Sequence, residues 1–222
     1  MGGKGVSDDL LACISKNLYV AVVCDTLDRL GVRDHVMRYD MRPLFPEARV
    51  VGRAHTALSA DIYEVPEEPY KLEMVAVDTL KPGDCLVCTT NGSVRTSFWG
   101  ELLSTAARAR GATGAVVDGF TRDTVRIMEM KFPVFVRGIA PYDSKGRSEV
   151  IDVDCPIQCG DVLVNPGDIV FGDYDGLVCI PQEIAEEVVR LAEEKVFGED
   201  RVREELAAGA RVQDVFAKYG IL

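Results

Sequence analysis

The stretch from residue 81 to residue 117 constrains the fold more than any other. Lys81-Pro82-Gly83-Asp84 is a turn that feeds the apolar run Cys85 to Thr89, which reads as a buried strand. Gly100 to Arg110 carries apolar residues at 102, 103, 106 and 107, a helical spacing, and stops at Gly111. Ala115-Val116-Val117 then forms a short, fully apolar strand. A strand, helix, strand unit with short links predicts a parallel crossover, and so an α/β fold.

The flanking segments extend this alternation. Ser7 before Asp8 and Asp9 is a helix cap, and Tyr19 to Leu30 is a second helix closed by Gly31. Arg49 to Leu58 reads as a strand and Tyr70 to Leu80 as a helix. Beyond Phe132 the pattern turns to short β segments: Val134 to Val136, Val150 to Val153, Val162 to Val164, Ile169 to Phe171 and Leu177 to Ile180. Pro166-Gly167-Asp168 and Asp173-Tyr174-Asp175-Gly176 mark turns among them. Pro181 starts a charged amphipathic helix through about Glu194, Arg201 to Ala208 continues helically, and a short tail follows. With 222 residues, 47% of them hydrophobic, and no linker or internal repeat, one domain over 1–222 is expected.

Composition excludes several functions. A formal net charge of -11 repels a phosphate backbone, so no nucleic-acid partner is expected. No run of about 18 apolar residues and no secretory layout at the N-terminus predict a protein that neither enters nor crosses a membrane. Seven cysteines without a paired pattern fit reduced thiols in a cytoplasm. Cys85 and Cys88 form a C-x-x-C, but inside a buried strand with no second pair, so they read as core. No Gly-x-Gly-x-x-Gly loop follows a strand, which removes the usual cradle for a nucleoside cofactor and with it methyl transfer.

In open α/β folds ligands collect at the carboxyl ends of strands, where helix N-termini expose free N–H groups. Ser97-Phe98-Trp99-Gly100-Glu101-Leu102-Leu103 is one such place, and Asp118-Gly119-Phe120-Thr121-Arg122-Asp123 is another. Arg122 beside Asp123 puts a fixed cation for an oxyanion next to a hard oxygen ligand for Mg²⁺ or Mn²⁺. The set suits a 2-oxo acid: metal at Asp123, Arg122 on the oxygen that becomes negative, and the Leu102 and Leu103 amides on the carboxylate. The same pair also fits a loop salt bridge or a helix cap. Asp118 reads as a residue that orients the loop, and Trp99 as either pocket wall or packing. His35 and His55 stand near no evident partner, and Asp173 and Asp175 flank a β-turn where Asp bonds its own backbone.

These residues resemble the signature of the 4-hydroxy-4-methyl-2-oxoglutarate aldolase family, which also includes the regulator of ribonuclease activity A. The similarity runs through residues 23–31, 51–56, 111–123, 132–138 (Phe132-Pro133-Val134-Phe135-Val136-Arg137-Gly138), 165–168 and 173–176. It continues in the tail, through residues 204–209 and 216–220. The resemblance implies an α/β/β sandwich of the swivelling-domain type, a homotrimer or homohexamer with sites between subunits, and a metal-dependent retro-aldol activity that releases pyruvate, often with oxaloacetate decarboxylation. By it the substrate-binding amides fall on Gly100, Glu101, Leu102 and Leu103, the substrate arginine on Arg122, and the metal-binding aspartate on Asp123, with Glu101 and the Arg-Asp pair as the catalytic set. The aldolases share an acidic residue twenty positions ahead of the Arg-Asp pair, where the ribonuclease regulators have Gly; residues 102 to 121 are the twenty between Glu101 and Arg122. They also carry an acidic residue three positions after the metal-binding Asp, where this chain has Arg126. A C-terminal Glu of an adjacent subunit is implied too, with Glu193, Glu194 and Glu199 as candidates. A class II pyruvate aldolase is therefore expected; the alternatives are a binding protein that inhibits a ribonuclease and a lyase on another 2-oxo acid.

Overall fold

The computed structural model describes residues 5 to 221. Two helices open the chain, α1 (Asp8–Asn17) and α2 (Val20–Arg29), followed by a two-residue strand β1 (Arg42–Pro43). Ser7 caps α1 by accepting from the Leu10 amide at 3.2 Å, and Gly31 closes α2 at φ 81°. Next come β2 (Val50–Asp61), α3 (Lys71–Asp78), β3 (Asp84–Thr89), β4 (Ser97–Trp99), α4 (Glu101–Ala109), β5 (Gly114–Thr121), α5 (Thr124–Met130) and β6 (Val134–Ile139). The second half holds β7 (Ser148–Val153), β8 (Ile157–Cys159), β9 (Val162–Val164), β10 (Ile169–Asp173), β11 (Gly176–Ile180), α6 (Ala185–Ala207) and α7 (Val212–Tyr219).

Strands β2, β3, β5 and β6 pair in parallel, each joined to the next through a helix, so the crossover read from residues 85 to 117 is one of three. The sheet runs β1-β6-β5-β3-β2-β10-β11, with β4 against the end of β5 and β7 against β2. It curls into a nearly closed, barrel-like form, a mixed α/β architecture of the swivelling type. The alternation of side chains explains the layers. Leu86, Cys88, Ala115 and Val117 face α3, α4 and α5, where Ala76, Val77, Ala107 and Ile127 meet them. Cys85, Val87 and Val116 face the other way, against Phe135, Val170, Cys179 and the β8–β9 hairpin. Helices α1, α2 and α6 cover β10 and β11 through Ile14, Val23, Val188 and Ala192. Cys85 and Cys88 thus lie fully buried on opposite faces of one strand and cannot ligate together.

Several elements differ from the sequence reading; the short strands β1 and β8 were not expected. Ser97 to Trp99 extends the sheet before the helix begins, because its backbone pairs with the end of β5. The seven-residue α5 was not expected; it buries only Ile127, too little for a periodic signal. Helix α6 runs unbroken through Gly198, and α7 occupies the expected tail. A Cβ at Gly198 would lie 2.6 Å from Ile221 Cδ1, so the glycine makes room for the returning tail. No single helix among the described residues is long and apolar enough to cross a membrane.

Candidate functional site

A cavity of about 300 Å³ opens at the carboxyl end of the parallel strands. Its walls come from Tyr70 and the start of α3 (Glu73, Met74), the β4–α4 junction (Ser97 to Gly100, Leu102, Leu103), the β5–α5 junction (Arg122, Asp123) and the loop after β6 (Asp143, Ser144). The two loops singled out in the sequence therefore meet here.

Backbone bonds fix the junctions. The Arg122 amide donates to Trp99 O at 3.0 Å and Thr121 Oγ1 to the same carbonyl at 2.9 Å, which ties the exit of β5 to β4. Asp123 then turns left-handed, φ 57° and ψ 28°, a conformation Asp tolerates better than most residues, and its carbonyl accepts from Ile127 N to open α5. The turn swings the Asp123 carboxylate back over Gly100, where an added Cβ would sit 2.9 Å from Oδ2. That close approach is why position 100 is glycine.

The Glu101 amide donates to Asp123 Oδ2 at 3.3 Å, so of the four amides named in the sequence one already serves Asp123. The first bond of α4 runs from Ser104 N to Gly100 O, leaving Leu102 and Leu103 N–H without helical acceptors. The Glu101 side chain accepts from Thr105 Oγ1 at 2.9 Å and faces an outer depression shared with Asp123, Thr124, Val125 and Arg126; it does not line the cavity. Arg126 thus stands beside Glu101 outside the pocket.

Arg122 lies 3.8 Å from Asp123 and, through Nη2, 3.4 Å from Asp143 Oδ1. Tyr70 OH donates to Asp143 Oδ2 at 2.7 Å. Against the upward push of burial, this hydrogen bond and the Arg122 guanidinium hold the Asp143 carboxyl below its usual range. Burial, with Asp143 beside it, raises the Tyr70 hydroxyl to about 12. Ser144 Oγ donates to Glu73 Oε2 at 3.1 Å. Trp99 is fully buried and donates to Ser104 Oγ at 2.8 Å, so it forms wall and core at once.

Sequence reasoning missed Tyr70, Glu73, Asp143 and Ser144. Glu73 had a signal: with Ala76 and Val77 it occupies the buried face of α3, an i, i+3, i+4 pattern in which a carboxylate is out of place. Asp143 and Ser144 sit in an irregular loop, and only the topology brings them in.

Other expectations resolve elsewhere in the fold. Asp118 does not orient the Arg122 loop; its Oδ2 accepts from Gly160 N at 2.9 Å and it faces Arg38 and Arg137, tying β5 to the β8–β9 turn. His55 has partners after all, Asp154 at 2.9 Å on Nδ1 and Thr79 at 3.0 Å on Nε2, away from the cavity. Asp173 accepts from Asp175 N and Val20 N, as a turn aspartate does. Glu193 accepts from Cys13 and Asn17, Glu199 from Tyr19, and Glu194 pairs with Arg190.

The fold and cavity define an α/β protein with a barrel-like sheet and a mixed-charge pocket at the carboxyl end of its parallel strands. The chain belongs to the Aldolase/RraA family (RraA-like), whose model matches residues 20–179. It is 32% identical over 166 residues, 74% of each chain, to a putative 4-hydroxy-4-methyl-2-oxoglutarate aldolase of Halalkalibacterium halodurans. It is 28% identical to protein DlpA of Legionella pneumophila over 91% of its own length, yet spans only 32% of that protein. Among solved structures it resembles Streptomyces coelicolor RraAS2, described as an unusual member of the RNase ES inhibitor RraA protein family. The TM-score is 0.77 at 27% identity, covering 95% of this chain and 100% of that one.

Proposed function

We propose that this chain is a divalent-metal-dependent lyase that cleaves 4-hydroxy-4-methyl-2-oxoglutarate-type acids to pyruvate and decarboxylates oxaloacetate. The observation that carries this reading is the convergence of Arg122, Asp123 and the free Leu102 and Leu103 amides on one cavity.

The residues fit a hard cation. Asp123 is 45% exposed at its side chain, its Oδ1 has no hydrogen-bond partner among the described residues, and no group of three ligating side chains surrounds it. Asp123 would hold Mg²⁺ or Mn²⁺ through its carboxylate, the oxygen donor that hard cations prefer. When bound, the ion supplies Lewis acidity to the 2-oxo group.

The protein's own groups do the rest. The Leu102 and Leu103 amides, at the positive end of α4, hold the substrate carboxylate. Arg122 donates to the oxygen on which enolate charge develops, and Asp143 holds its guanidinium in place. Phe98, Trp99, Leu103 and Met74 line the cavity and exclude water, which strengthens those interactions. Oxaloacetate needs no base for its own cleavage, because loss of CO₂ from C4 yields the same enolate.

The reading extends to a cytoplasmic protein with one domain over 1–222, assembled as a trimer or hexamer in which Glu193, Glu194 or Glu199 of a neighbouring copy closes the site. Leu102 and Val125, 77% and 62% exposed beside the cavity, suit such a neighbour. Likeness to RraAS2 favours a second reading, regulation of a ribonuclease. The Arg126 side chain beside Glu101 favours a third, a lyase on a different 2-oxo acid. Pyruvate release from 4-hydroxy-4-methyl-2-oxoglutarate, followed through a coupled dehydrogenase, separates them. Release that stops with EDTA and returns with Mg²⁺ is expected; no release with any 4-hydroxy-2-oxo acid would leave the regulator.

A further inference from the structure

If the α4 amides hold the substrate carboxylate and Arg122 the oxo group, the reacting carbon faces the remaining wall, formed by α3 and the 143–144 loop. Three ionisable groups line that wall, and two are committed. Asp143 is held as a carboxylate with Oδ1 on Arg122 and Oδ2 on Tyr70, and Tyr70 spends its proton on Asp143. The third is Glu73. The residue is 9% exposed, Oε2 accepts from Ser144, and Oε1 has no hydrogen-bond partner among the described residues.

We propose that Glu73 is the proton carrier of this site, giving a proton to C3 of the pyruvate enolate and removing one from the pyruvate methyl group in reverse. This rests on the lyase reading. In the forward step the enolate C2–C3 π pair forms the new C3–H bond, the carboxyl O–H bond breaks with its pair left on Glu73, and the enolate oxygen becomes the 2-oxo group. Glu73 regains its proton from water at the cavity mouth.

The surroundings suit a group that works in both directions. Burial, with the Asp143 carboxylate beside it, pushes the Glu73 carboxyl up to about 7, against the Ser144 hydrogen bond and the Arg122 cation. The other titratable neighbours are Tyr70, just before the same helix, and Cys88 on β3, whose thiol burial keeps neutral.

The test is exchange of the pyruvate methyl protons with D₂O, followed by proton NMR on the Mg²⁺-loaded protein. The parent should exchange, with a rate that rises with pH through about 7 as Glu73 becomes a base, and then levels off. Glu73→Gln, which can keep the Ser144 bond, should lose at least about 100-fold in exchange while pyruvate still raises its melting temperature as in the parent. Glu73→Asp should recover part of the loss. Exchange by Glu73→Gln within about threefold of the parent, or a parent rate flat between pH 5.5 and 8.5, overturns the assignment. So does a parent that forms pyruvate from oxaloacetate without exchanging it. A parent that does neither overturns the lyase reading, and this proposal with it. Should Glu73→Gln not fold, Glu73→Asp and the parent's pH profile decide.

Discussion

Strand β5 carries two arginine-aspartate clusters a few residues apart, and they differ in what they leave free. Asp118 is 6% exposed and faces Arg38 and Arg137, with Arg38 also paired to Asp40 and Asp161. Asp118, Arg38 and Arg137 are turned inward there and join β5 to β6 and the β8–β9 hairpin, while Asp40 and Asp161 reach solvent at the cluster's edge. Arg122 and Asp123, just past the end of the same strand, and Asp143, in the loop after β6, are 36% to 45% exposed and border a cavity. The chemistry of the side chains is the same in both. Position relative to the strand end decides which cluster can meet a ligand.

The comparison breaks first at Asp123. Asp123→Ala should lose at least about 10³-fold in pyruvate formation and bind Mn²⁺ more weakly, because it removes the carboxylate assigned to the ion. Mn²⁺ titration with parallel turnover measurements checks both effects. Arg122→Lys keeps a positive charge but loses the planar fork, and should cost roughly 10²- to 10³-fold in turnover with metal affinity nearly unchanged.

In the closed cluster the effects should reverse. Asp118→Ala leaves Arg38 and Arg137 paired with Asp40 but removes the buried acceptor of Gly160 N and the carboxylate between the two arginines; it should cost about 3 kcal/mol of stability, with turnover of the folded protein close to the parent's. Urea unfolding beside steady-state assays tests it; a loss of turnover at unchanged stability would erase the distinction between the clusters.

The smallest effect concerns Glu73. Its carboxyl rises from an ordinary 4.5 to about 7 in the folded chain, so the folded state binds the proton more tightly than the unfolded one. The stability this provides is fully present below about pH 4.5 and is lost as pH rises through about 7. Glu73→Gln should therefore stabilise the protein by up to about 3 kcal/mol at pH 8, and by little at pH 4.5, in thermal melts at both values.

Much of the scaffold was legible because its strands are continuous apolar runs and its helices end at glycines. The Cys85 to Thr89 strand, the 100–110 helix and the Ala115 to Val117 strand all appear, each extended or trimmed by its neighbours. Pairing across the sheet was not legible: β4 forms because β5 lies beside it, and the close approach of the tail to Gly198 within α6 appears only in the fold. At the site, Arg122 and Asp123 could be singled out as charged residues after an apolar strand, and the structure brings them onto one cavity with Gly100, Leu102 and Leu103. The opposite wall was hidden, since Asp143 and Ser144 reach it through an irregular loop and Glu73 sits within a helix whose buried face is otherwise apolar.

The central claim is that the open cluster on β5 stabilises the enolate of a 2-oxo acid with the help of a divalent ion. Oxaloacetate decarboxylation by the chelated protein, with and without added Mg²⁺, tests this most directly, with Asp123→Ala in parallel. The account predicts pyruvate formation that depends on Mg²⁺ in the parent and falls to the protein-free rate in the variant. Equal rates with and without Mg²⁺ after exhaustive chelation, or an Asp123→Ala protein as fast as the parent, would contradict it.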